Sequence, residues 1–336
     1  MRKSSTLLVF LLVGLLLTSA RALSADFRFR VFAGLGYVDG GDLSRSISGW
    51  RSYYQDRQGD GFSSSFKLGE MHGAPEFGGE AVLALSPRWR LSLGVGYILQ
   101  KAAGKITTRT TRRDDAAASP SEPWTVDFEE TTEQNPAYTK STIPLTVSLD
   151  YSLASNAKWS LTLGGGGGIY PGRLDLRESY KLQAESTSEQ QTGYGVVRYV
   201  DRLTTVGNYS EKTTGTGYGV HGRIGLELKI GPSAFLSISV LGRWVNMRGW
   251  KGTRSDASQW QRIYGFSGEQ RAEGEEERTE NGQYWVYDLK DEKTGKSYRV
   301  LVFRDDRPSP SSRPANLNLS GVSLQMGLGF RLGGRD

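Results

Sequence analysis

Leu145-Thr146-Val147-Ser148-Leu149-Asp150-Tyr151-Ser152-Leu153, a turn at Ala154-Ser155-Asn156-Ala157, and then Trp159-Ser160-Leu161-Thr162-Leu163 is the stretch on which the reading of this chain rests. Apolar side chains take every second position on both sides of a short polar turn. A β-strand sends successive side chains to opposite faces, so each arm carries one apolar face and one small or polar face. Two further short turns, Ser86-Pro87-Arg88 and Gly231-Pro232-Ser233, are flanked in the same way, and long polar stretches separate one unit from the next. Short turns at one rim, long connections at the other and alternating strands between them predict a transmembrane antiparallel up-and-down β-barrel.

Working outward by parity gives eight strands, over 27–37, 77–85, 89–100, 142–153, 159–170, 218–230, 236–244 and 322–332. Their outward faces hold residues such as Phe29, Val31, Leu93, Val147, Leu161, Ile224, Ile238 and Leu324; their inward faces are mostly Gly and Ser. Every charged residue in these spans falls on the inward face. Aromatics collect at the strand ends: Phe27, Trp89, Tyr151, Trp159 and Phe330 beside the short turns or termini, and Tyr37, Phe77, Tyr97, Tyr218 and Trp244 beside the long connections. Two aromatic girdles around an aliphatic middle mark two membrane interfaces.

The N-terminus has the matching address. Met1-Arg2-Lys3 is a positive start, Leu7 to Leu17 an uncharged apolar run, and Thr18 to Ala25 a set of small-residue cleavage sites, so residues 1–25 read as a secretory signal peptide and 26–336 as a single barrel domain. The apolar run falls short of the ~20 residues of a spanning helix, and the mean hydropathy of −0.46 leaves no room for a helical membrane protein. With no cysteine there is neither a lipid anchor nor a disulfide framework. Removing Arg2, Lys3 and Arg21 with the leader lowers the net charge from +6 to +3. No basic run interleaved with aromatics points to nucleic acid, and no His/Cys cluster to a metal or cofactor.

Inward charges in a narrow lumen survive only when paired. Arg28, Arg30, Glu80, Arg90, Asp150, Arg223, Glu227 and Arg243 are therefore expected to form an ionic network. By height, Arg28, Arg90, Asp150 and Glu227 group at the periplasmic end, and Glu80, Arg223 and Arg243 nearer the middle. An eight-stranded barrel has room only for packed side chains, so the network reads as a plug rather than the constriction of a conducting pore.

Gln325-Met326-Gly327-Leu328-Gly329-Phe330-Arg331-Leu332 reads polar-x-Gly-x-x-apolar-x-apolar. It resembles the C-terminal signal of bacterial outer-membrane barrels, with Gln325, Gly327, Phe330 and Leu332 as its elements, although Gly333-Gly334-Arg335-Asp336 follows where that family ends on its aromatic residue. Over the eight strands the chain resembles the small OmpA/OmpX-like barrels. The resemblance implies a Gram-negative-type outer membrane, contact with its lipid and lipopolysaccharide, and capture by the barrel-assembly machinery.

More than half of the mature chain lies in the connections 38–74, 101–141, 171–217 and 249–316. Their ends look like strands continuing past the membrane, and Ala116-Ala117-Ala118-Ser119-Pro120, Glu269 to Glu280 and Pro308 to Pro314 have a disorder-like composition. Within the last connection, Gln283 to Lys290 and Ser297 to Arg304 form a hairpin, read as standing above the membrane; as wall it would raise the count to ten. Trp50, Tyr53, Tyr54, Trp124, Trp260, Tyr264 and Phe266 favour recognition of an extracellular ligand or partner over passive shielding. The sequence thus predicts a non-enzymatic surface barrel, against two alternatives: a narrow channel for small solutes, and a lipid hydrolase or protease using His72 or His221.

Overall fold

The computed structural model describes residues 27–119, 122–266 and 270–332; the signal segment, Pro120, Glu269 and Gly333 to Asp336 lie outside it, as does the side chain of Trp124. The described chain is one antiparallel sheet of thirteen strands with one helix: β1 Phe27–Val38, α1 Asp42–Asp56, β2 Phe62–Leu68, β3 Gly73–Ala84, β4 Trp89–Ser119, β5 Glu122–Thr142, β6 Leu145–Ser155, β7 Trp159–Thr192, β8 Gly195–Lys229, β9 Ala234–Phe266, β10 Gln270–Lys290, β11 Ser297–Arg304, β12 Arg313–Pro314 and β13 Gly321–Leu332.

The lower storey is built from the alternating segments. β1 pairs with β3, β3 with β4, β4 with β6, β6 with β7, β7 with β8, β8 with β9 and β9 with β13, and β13 pairs back onto β1, so the ladder closes on itself. Alternation sorts the two faces as the period of two requires. Leu35 is 72% exposed and Val147 51%, whereas Arg30 is 6% and Asp150 3% exposed. An apolar outer surface around a polar interior inverts the arrangement of a water-soluble sheet. Cross-strand aromatic pairs stand at both rims of that surface: Trp89 and Tyr151, register partners with ring centroids 4.9 Å apart, and Phe77 and Tyr97 at 5.2 Å.

Above Val38, Gly73 and Gly321 the wall changes composition. β4 passes to β5, β5 to β7, and β7, β8 and β9 continue upward, with β10 added on β9, β11 on β10 and β2 on β4. The two free edges of this upper sheet, β2 and β11, are bridged by α1, which packs on both. Leu43, Ile47, Trp50 and Tyr54 repeat at helical spacing and face the interior. The helix is seated from outside as well: Ser46 Oγ accepts from Leu301 N at 2.8 Å, and Tyr298 donates to Asp56 at 2.8 Å. A side chain at Gly49 would run into the Arg299 carbonyl, so glycine is what allows helix and strand to meet. Covering bare strand edges this way also hides their unpaired amides.

The strands continue past the lower storey as their ends suggest, β7 and β8 staying paired from Trp159↔Leu228 to Thr192↔Gly195. One expectation needs correction: the acidic run after Glu269, disorder-like in composition, is strand β10, paired with β9 from Gln270↔Tyr264 to Gln283↔Lys251. Toward their tips these strands are exposed on both faces and carry little apolar alternation. Ladder hydrogen bonds and exposed pairs such as Lys105–Glu133, 2.9 Å, hold them. The hairpin of Gln283–Lys290 with Ser297–Arg304 belongs to the upper wall and takes no part in the closed lower ladder.

Between the storeys lies the apolar core, formed by residues from every quarter of the chain, including Val38, Leu68, Met71, Ile98, Leu174, Met247, Trp250, Leu317 and Leu319. The segment before β13 threads through it, with Leu317 N and Leu319 N donating to the Met247 and Val245 carbonyls of β9 at 3.1 and 3.3 Å.

Candidate functional site

The inward charges of the lower storey form three levels. Lowest, Glu227 of β8 takes Arg90 of β4 at 2.8 Å and Arg28 of β1 at 3.3 Å. In the middle, the Arg223 guanidinium contacts both Glu80 oxygens at 2.7 and 2.8 Å and grips Asp150 through Nε at 2.9 Å and through Nη2. Arg30 closes on Glu80 from the other side. Ser92 donates to Asp150 at 2.7 Å and accepts from Arg223. Highest, Arg243 pairs with Glu76 and donates to Ser323 at 2.7 Å, while Gln325 donates to the other Glu76 oxygen at 2.9 Å. All of these acids are buried or nearly so, and bidentate guanidinium contacts satisfy several lone pairs at once. A side chain at Gly164 would collide with the Asp150 carboxylate, so that glycine makes room for the middle level.

The structure thus brings together all eight residues expected in the lumen, with two differences. Asp150 sits in the middle level with Arg223, not at the periplasmic end with Arg90. Arg90 and Asp150 are register partners on β4 and β6, but the long arginine side chain reaches across to Glu227. Glu76 was missed. It shares a parity with Glu80, but it lies just before Phe77, where the predicted strand began, and β3 in fact starts at Gly73. The space left beside the charges, between Glu80, His221, Tyr170 and Arg243, is about 40 Å³, room for a few waters. Gln325 is buried against Glu76 and Gly327 packs on Val31, while Phe330 and Leu332 lie on the outer face of β13.

Neither histidine sits in a nucleophilic triad among the described residues. His221 Nε2 meets Ser148 Oγ at 2.7 Å while its Nδ1 meets no acid. His72 stacks on Tyr37, and Glu70 lies between it and Ser48, an order that puts the acid rather than the imidazole beside the hydroxyl.

Above the apolar core the upper wall surrounds an open-mouthed chamber of about 570 Å³. Each wall element contributes: Ile47, Trp50 and Tyr54 from α1, Phe66 from β2, Tyr138 from β5, Leu176, Glu178 and Tyr180 from β7, Tyr209 and Glu211 from β8, Arg254 from β9, Tyr284 from β10 and Phe303 from β11. On β7 the parity run Leu174, Leu176, Glu178, Tyr180, Leu182 turns one carboxylate into this mainly apolar space. Glu211 is fully partnered, taking Arg254 at 2.8 and 3.1 Å and the hydroxyls of Tyr209 and Tyr284. Glu178 is not: among the described residues no hydrogen bond or ion pair reaches its carboxylate. Burial, with Glu211 and Asp256 nearby, pushes its pKa up to about 7. Burial and then the Glu178 charge raise the Tyr138 phenol above its usual range.

The floor of the chamber is latched by Lys140. This wholly buried ammonium donates to the carbonyls of Leu317 and Asn318 at 2.9 and 2.6 Å. Burial pulls its pKa down to about 7, and Asp39 opposes that only in part. Sequence alone placed neither Glu178 nor Lys140 at a site, since each lay in a stretch read as a connection.

No family model matches the chain, and no curated protein does. Among solved structures it is similar to the outer membrane protein OprG from Pseudomonas aeruginosa, at 9% identity and TM-score 0.29 over 92% of this chain and 97% of that one. It is similar also to the outer membrane protease OmpT from Escherichia coli, at 9% identity and TM-score 0.27 over 92% and 96%. A major outer membrane protein from Thermus thermophilus aligns at 11% identity and TM-score 0.24 over 91% and 99%. These likenesses are too distant to carry any residue's role across.

Proposed function

We propose that the chain is an eight-stranded outer-membrane β-barrel of a Gram-negative-type bacterium that does not conduct, and that it presents on the cell surface a β-walled chamber for a small extracellular ligand. The supporting observation for closure is the stack of three ion-pair levels beneath a continuous apolar core. Lipid would cover the exposed aliphatic belt, lipopolysaccharide would meet the outer rim, and Gln325, Gly327, Phe330 and Leu332 would present the last strand to the assembly machinery. The role is non-enzymatic in this reading, with both histidines in structural contacts.

The test is conductance of the refolded chain in a planar bilayer. Silence at moderate voltage is the expected result. Steady single-channel steps would overturn closure and favour the solute channel. A heat-modifiability gel on the same preparation reports whether the barrel formed; no shift between boiled and unboiled samples would overturn the barrel itself.

A further inference from the structure

A chamber of this size lies within the ~300–1,000 Å³ of small-molecule sites, which are largely apolar with a few placed polar groups. Here the placed group is Glu178, a carboxylate that no cation reaches among the described residues. The chamber's other acid, Glu211, holds Arg254, and the nearby Asp256 accepts from the neutral Tyr180 hydroxyl at 3.2 Å. Arg254 is itself shared with Glu280. Arg254 is therefore engaged, and the charges that act on Glu178 are those of the acids Glu211 and Asp256, so the local field there favours an incoming positive charge. The surroundings point the same way. Glu178 pairs in register with Pro136 of β5 and Tyr209 of β8, and Tyr54, Tyr138 and Tyr180 lie close enough for its charge to act on their phenols. Aromatic faces grouped around a carboxylate attract an ammonium by cation–π and ionic terms together, most strongly where water is scarce.

We propose that the chamber binds a small monoamine, a single ammonium on an aromatic or alicyclic body, with Glu178 as its counter-ion and the aromatic lining as its apolar seat. This rests on the reading of the chamber as a ligand site. An ammonium suits these charges, because no cation reaches Glu178 among the described residues, and a carboxylate ligand would face Glu178, Glu211 and Asp256 together.

The experiment uses the full mature chain refolded in detergent micelles, with 2-phenylethylamine as probe and 2-phenylethanol and 3-phenylpropionate as matched neutral and anionic bodies. Binding is read by calorimetry and by the fluorescence of Trp50, which lines the chamber. The amine is expected to bind one per chain and at least tenfold more tightly than either analogue. Its affinity should rise several-fold between pH 5.5 and 8.5 as Glu178 ionises, the amine staying protonated until close to the upper limit. E178Q, checked for folding by heat modifiability, should lose about tenfold at pH 8 and lose the pH dependence. Equal binding of alcohol and amine, or an E178Q variant that binds the amine normally, would overturn the ammonium assignment and leave the chamber reading intact. Failure of all three probes to bind would overturn both.

Discussion

Glu80, at the centre of the lumen, is held between two guanidiniums; Glu178, higher in the same wall, is held by none among the described residues. Both carboxylates sit on inward positions of β-strands, Glu80 buried and Glu178 half-buried. They differ in the space around them. The lumen is so narrow that charges from opposite strands must touch, and the sequence places an acid against each guanidinium. The upper wall is wider, because β5, β10, β11 and α1 enter it, and its interior is filled by aromatic and aliphatic side chains that stop short of meeting. An acid in a filled interior is structural cement. An acid left facing a void in an otherwise apolar interior destabilises the free protein, and such groups mark sites where something else completes the set.

That contrast is breakable. The largest effect should come from Arg223→Ala, which strands Asp150 and half of Glu80 in the lumen. Removing one partner of a buried ion pair costs roughly 3–5 kcal/mol. A urea refolding titration in micelles measures it, and a loss below ~1 kcal/mol would mean that water screens the lumen throughout, as at an exposed pair. Next in size is the coupling between Asp150→Ala and Arg223→Ala, expected at about 1–3 kcal/mol in a double-mutant cycle. The parallel cycle with Arg90→Ala should give less than half of that, because Arg90 is engaged by Glu227. Equal couplings would merge the lowest and middle levels into one.

The smallest effect has the opposite sign. The Glu178 pKa of about 7 lies above its unfolded value, so the folded chain holds a proton there that the unfolded chain has lost. Its stabilising contribution is full below the ordinary carboxylate range and is lost as pH rises through 7. Glu178→Gln should therefore be neutral near pH 4 and more stable than the natural chain at pH 8, by about 1 kcal/mol once water in the chamber is allowed for. A destabilised E178Q at pH 8 would mean that this acid is cement like the others.

The lower storey was legible because a membrane imposes a strict period of two on any strand that crosses it, and the sequence keeps that period through Leu145 to Leu153 with hardly a break. Parity names a residue's face and says nothing of its partner, which is why Asp150 was set beside Arg90. The helix was not read from the sequence: Leu43, Ile47, Trp50 and Tyr54 are spaced for one face of it, but a connection between barrel strands gave no reason to expect an amphipathic helix. The chamber was beyond reach. Glu178 stands in a clean alternation, Leu176 to Leu182, yet its meaning depends on Pro136, Tyr209, Glu211 and Asp256, which come from segments whose register no local pattern fixes.

The seam between β1 and β13 has a consequence in time. It joins Phe27 to Leu332 and Val38 to Gly321, the first and last strands of the folded chain. Contacts between such distant residues form slowly, because the loop they close is nearly the whole polypeptide. The ladder cannot close before the final strand has arrived, and until then Arg28 on β1 lies on an open sheet, in water and away from Glu227 of β8. Its pairing with Glu227 falls in the last step of folding, whereas Arg30 faces Glu80 as soon as β1 and β3 pair. The step that seals the wall thus also dries its interior, and a nascent chain incurs no burial cost for those charges until it is complete.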